Sequence, residues 1–100
     1  MIIAGLTPLQ HETLLGVLRR FSGRYKTVLL FGSRATGNAR TGSDIDIALK
    51  GAEPDLASQM LTEFIDSDLS VSVDVVDYDR LSDEGVRAAI DREGRILPVD

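Results

Sequence analysis

Residues 32 to 46 read Gly-Ser-Arg-Ala-Thr-Gly-Asn-Ala-Arg-Thr-Gly-Ser-Asp-Ile-Asp. An apolar, β-rich run, Lys26 to Phe31, leads into the Gly32-Ser33 turn; ten residues later Asp44-Ile45-Asp46 opens a second apolar run. Side chains alternate faces along a strand, so Asp44 and Asp46 point the same way. A chain built on this segment must bring a turn with exposed backbone N–H groups close to two parallel carboxylates. The turn can hold phosphates and the carboxylates can hold metal ions.

The rest of the chain supplies a small α/β scaffold. Thr7-Pro8-Leu9-Gln10 has the marks of a helix start: a capping threonine, proline at the first helical position and glutamine to complete a capping box. Leu9, Leu14, Leu15, Leu18 and Phe21 continue that helix toward a stop at Gly23. Strands are predicted over 26–31, 44–49 and 70–76. A helix opened by Pro54 carries Leu56, Met60, Leu61, Phe64 and Ile65. Ser82 can cap a last helix that carries Val86, Ala89 and Ile90 and stops at Gly94, and residues 96–99 can add an edge strand. The order is α-β-β-α-β-α. The expected fold is a small mixed β-sheet with helices on one face, a single domain over residues 1–100.

Strand parity selects a third carboxylate. Ile45, Ile47 and Leu49 share one face of the second strand, and Asp44, Asp46 and Ala48 the other. In the third strand Val71, Val73 and Val75 share the apolar face, while Ser70, Ser72 and Asp74 share the polar one. Asp77 has the parity of the valines. Asp74 is therefore the partner of Asp44 and Asp46, and Asp77 is not.

Three carboxylates on one open face repel, and divalent cations relieve that cost. Magnesium prefers oxygen ligands and commonly combines a few carboxylates with substrate phosphates. Two such ions, about 3.5–4 Å apart, can clamp the attacking and leaving oxygens of an in-line displacement. Asp44 and Asp46 would then bridge two Mg²⁺ ions and a triphosphate. Asp74 would hold the metal that activates an incoming hydroxyl, and could accept its proton. Ser33 and the N–H groups around Gly32 would bind the β- and γ-phosphates, and Arg34 or Arg40 could steady departing pyrophosphate.

This pattern resembles the minimal nucleotidyltransferase domains of the DNA polymerase β-like superfamily. Their hallmark is Gly-Ser, ten residues, Asp-x-Asp and a later Asp, here Gly32-Ser33, Asp44-Ile45-Asp46 and Asp74. Relatives often carry a second basic residue where this chain has Thr36. The resemblance implies Mg²⁺-dependent transfer of a nucleoside monophosphate to an acceptor hydroxyl. Many stand-alone members look like antitoxins that silence a helical HEPN-domain toxin by adding AMP, from ATP, to a tyrosine. The expectation is thus a protein adenylyltransferase with such a toxin as partner. Two other classes compete: a module that masks its partner by occlusion without turnover, and a transferase for a small-molecule hydroxyl. A hundred residues leave no length for a separate acceptor domain, which counts against the last.

Composition narrows the field further. The net charge of −5 argues against an extended nucleic-acid surface. With no cysteine, thiolate metal sites and disulfides are excluded, in keeping with a reducing cytoplasm. No apolar run approaches the roughly 18 residues of a membrane span. Surplus apolar residues on so small a domain could form an interface with a second copy or another chain.

Overall fold

The structure is a computed structural model that describes residue 3, residues 5–40 and residues 42–99. The elements run α1 (Pro8–Arg20), β1 (Thr27–Phe31), a single helical turn α2 (Ser33–Thr36), β2 (Ile45–Lys50), α3 (Leu56–Asp66), β3 (Val73–Asp77), a 3-10 turn (Tyr78–Arg80), α4 (Glu84–Glu93) and β4 (Arg95–Ile96). The capping box expected for α1 is present: Gln10 N–H donates to Thr7 Oγ1 at 3.1 Å and Thr7 N–H to Gln10 Oε1 at 2.9 Å. The last helix is capped one residue later than expected. Asp83 Oδ1, not Ser82, accepts from Gly85 and Val86 N–H at 2.9 and 3.1 Å, and a carboxylate is the stronger acceptor at a helix N-terminus.

The four strands form one mixed sheet in the order β3-β2-β1-β4. β1 runs antiparallel to β2 and β4, while β2 and β3 are parallel. A parallel neighbour requires a crossover, and α3 provides it. One face is closed by α1 and α3. Leu14, Leu18, Leu30, Ile45, Ile47, Leu49, Leu56 and Met60 are buried there in one cluster, each worth about 1.5–3 kcal/mol of transfer free energy.

Two expectations are corrected. The helices do not all share one face. α4 crosses the opposite side, where Ile90 packs with Phe31 and Ala48, and Leu29, Val76 and Val86 adjoin them. The cause lies in β1 and β3. Leu29, Phe31 and Val76 are apolar on the parity otherwise occupied by Asp46 and Asp74, so half of that face needs a cover. The apolar stripes also lose a member each: Leu9 is 77% exposed and Ile65 74%. At 100° per residue Leu9 stands about 140° from Leu14, and Ile65 stands as far from Met60, outside the buried arc. Among the described residues, no helix is long and apolar enough to cross a membrane.

The core should be felt in mutants. Ile47→Ala, at a fully buried position, should cost about 2–5 kcal/mol in urea unfolding. Leu9→Ala should stay within about 0.5 kcal/mol; similar losses for both would contradict the packing described.

Candidate active site

Phe31 ends β1 opposite Asp46 of β2, and Asp46 stands in register with Asp74 of β3. Adjacent strands lie about 4.8 Å apart, so Asp46 and Asp74 are direct neighbours on one face. Both are second residues of their strands. Two residues on, Ala48 and Val76 lie beneath α4. The carboxylates thus occupy the end of the face that α4 leaves uncovered. Asp44 precedes β2 and is exposed, as is Asp74, while Asp46 is half-buried. Asp77 stands in register with Leu49, on the α1/α3 side, and its Oδ2 pairs with Arg80 at 2.5 Å.

Gly32 joins β1 to α2 with φ 75° and ψ −159°, a conformation close to glycine-only. A Cβ at this position would stand 2.4 Å from Asp46 Oδ2. The absent side chain is therefore what lets the Asp46 carboxylate lie against the turn. The carbonyl of Gly32 accepts from Ala35 and Thr36 N–H at 3.0 and 3.1 Å, which closes α2. Ser33, the first residue of α2, is partly exposed beside the carboxylates' strand.

The two candidate arginines have different settings. Arg34 is only 5% exposed. Its Nε and Nη2 both donate to the Ser43 carbonyl, at 3.0 and 2.8 Å, so it braces the connection just before Asp44. Arg40 is exposed; its N–H donates to Ser43 Oγ at 2.7 Å and its carbonyl accepts from Ser43 N–H at 2.9 Å. Ser43 thus fastens both ends of the segment between α2 and β2, a role that its place in the motif did not disclose.

Sequence reasoning also passed over Glu93. Its Oε1 accepts from Gly32 N–H at 3.1 Å, placing a fourth carboxylate beside the turn. In the sequence it is a glutamate just before the Gly94 helix stop, with no motif that marks it. Burial, and then the charges of Asp74, Asp44 and Glu93, push the Asp46 carboxyl above its ordinary value.

The donors are all oxygen and all anionic, the chemistry that suits magnesium. Among the described residues, however, no three acidic or histidine side chains converge into a metal cage. Asp44, Asp46 and Asp74 are brought to one end of the sheet, with Asp46 and Asp74 directly paired, but not closed around a common centre. Like charges resist such closure until a cation offsets them.

The sign of the Asp46 shift sets a test. A carboxyl with a raised pKa holds its proton more tightly folded than unfolded. Its penalty therefore grows as pH rises from the ordinary aspartate range through the raised value, and persists above it. Asp46→Asn should raise Tm of the metal-free protein by a few degrees at neutral pH. The gain should vanish once pH falls below the ordinary aspartate range. Calorimetric scans in excess chelator read both; a lower Tm at neutral pH would show that the carboxylate holds structure together. Gly32→Ala should act oppositely, destabilising by about 1–3 kcal/mol through strain at positive φ and the clash with Asp46.

Residues 16–98 match the family model described as polymerase beta, nucleotidyltransferase. No protein of curated function matches the chain. One similar solved structure, a toxin–antitoxin with AMP-PNP, has a TM-score of 0.69 at 24% identity over 87% of this chain and 71% of its own. Another, the toxin–antitoxin MntA-HepT, has a TM-score of 0.64 at 22% identity over 92% of this chain and 72% of its own. These likenesses establish a shared fold. The family match spans well over half of the chain, and it includes the turn, the Asp-x-Asp strand and Asp74: the chain belongs to the polymerase β nucleotidyltransferase family.

Proposed function

We propose that this chain transfers AMP from ATP to a hydroxyl of a partner protein, a tyrosine of a helical HEPN-type toxin, and so acts as that toxin's antitoxin in the cytoplasm. The observation that carries the reading is the in-register pair Asp46 and Asp74 beside the Gly32-Ser33 turn, within a nucleotidyltransferase domain. The neighbours solved as toxin–antitoxin complexes, one of them with AMP-PNP, support the choice of partner and nucleotide.

Each residue has a task. Asp44, Asp46 and Asp74 would hold Mg²⁺, which when bound neutralises charge on the attacking and leaving oxygens. Ser33 would hold the β- and γ-phosphates, and exposed Arg40 would steady pyrophosphate as it departs. Arg34, committed to the Ser43 carbonyl, would keep Asp44 in place. The acceptor oxygen forms a bond to the α-phosphorus, the bond from that phosphorus to pyrophosphate breaks, and Asp74 takes the hydroxyl proton. Positioning dominates in such transfers. The acceptor would bring its own docking surface, as a folded protein can.

Co-expression with the genomic neighbour, followed by intact-mass spectrometry of that neighbour, tests this. A gain of one or more AMP units is expected with the native chain. Asp46→Asn or Asp74→Asn should abolish it, and Asp77→Asn should leave it nearly unchanged. An unmodified neighbour in a tight complex would instead mean occlusion. Efficient transfer to a small alcohol, with no complex, would overturn both.

A further inference from the structure

We propose that Glu93 is a positioning residue of the transfer site, holding the Gly32 peptide through its side-chain acceptor; this rests on the transferase reading above. The argument begins with the end of the sheet. The Val28 carbonyl accepts from Leu97 N–H at 2.9 Å, on the β4 side of β1. Backbone polar groups alternate sides along a strand, so those of Gly32, four residues on, face the same way. β4 pairs Leu29 with Ile96 and Leu30 with Arg95, and it begins at Arg95. Continued by two steps, the register would set Gly32 opposite Glu93. There the chain is already the last turn of α4, which Gly94 N–H closes by donating to the Ile90 carbonyl at 2.8 Å. Glu93 Oε1 takes the place that a strand carbonyl would have filled.

Gly32 is thereby held from two sides, by Glu93 at its N–H and by Asp46 Oδ2 against its Cα. Glu93 is mostly buried, with its side chain 21% exposed, and its Oε2 accepts from the exposed Arg92 guanidinium at 3.1 Å. A carboxylate this close to Asp46 adds like-charge repulsion, a cost that a merely structural acceptor need not carry. The gain we assign to it is a fixed Gly32 peptide, and hence a fixed direction for Ser33 and the Asp46 carboxylate.

Three variants separate reach from charge. Glu93→Gln keeps the acceptor and loses the charge; Glu93→Asp keeps the charge and loses one methylene of reach; Glu93→Ala loses both. Binding of AMP-PNP with Mg²⁺ is measured by calorimetry on proteins whose folding is checked by circular dichroism, together with amide hydrogen exchange at Gly32. The Ala and Asp variants should bind at least about fivefold more weakly, the size of one neutral hydrogen bond, and should exchange the Gly32 amide faster. Gln should restore both readouts to within about twofold of the native chain. If Ala does not fold, the Asp and Gln pair decides alone. Binding that is unchanged or tighter in the Asp variant, or a Gln variant as weak as Asp, would overturn the inference while leaving the transferase reading intact. A native chain that binds no AMP-PNP would overturn both.

Discussion

The approach of the Asp46 carboxylate to the Cα of Gly32 is the contact on which the site depends. Oδ2 stands 2.4 Å from where a Cβ would be, so any side chain there would push the carboxylate away from the turn. With that contact made, the strand-turn-helix of β1 and α2 lies directly against the first residues of β2. The Gly32-Ser33 turn and the Asp46 carboxylate become neighbours rather than opposite ends of a loop. The intervening segment is then tied down separately, by Arg34 and Arg40 at Ser43. Asp44 is thus delivered to the same end of the sheet.

Gathering acidic groups there costs stability, and the two faces of the sheet offset it differently. The α1/α3 face is continuous core. The other is divided: Phe31, Ala48 and Val76 are sealed by Ile90 and Val86 of α4, and Asp46 and Asp74 lie beyond its edge. Half-burial beside three other carboxylates raises the Asp46 pKa. The metal-free domain therefore holds this end in a less favourable charge state than a cation-loaded one would have. Such a site suits a domain whose substrate arrives with its own divalent ions.

Much of this was legible in local pattern. The Gly-Ser turn, the ten-residue spacing and the Asp-x-Asp strand are contiguous in the chain, and period-two alternation was enough to set Asp74 apart from Asp77. The capping box of α1 was readable because it too is local. What escaped was whatever depended on distant pairing. Glu93 reaches Gly32 only because β4 stops short, a matter of register between segments about sixty residues apart. The cover by α4 was missed because its apolar residues, Val86 and Ile90, answer to Leu29 and Phe31 of β1, far away in the chain. Arg34 is a candidate phosphate ligand by type, and its two hydrogen bonds to the Ser43 carbonyl come to light only in the fold.

The central claim is that the paired carboxylates and the Gly32 turn form one site that takes a nucleoside triphosphate together with metal. Titration calorimetry of the native chain with ATP, in millimolar Mg²⁺ and again in excess chelator, addresses it most directly. The account predicts saturable binding with Mg²⁺ and its collapse in chelator, because Asp44, Asp46 and Asp74 alone would repel the triphosphate. Equal ATP affinity in both conditions would contradict it.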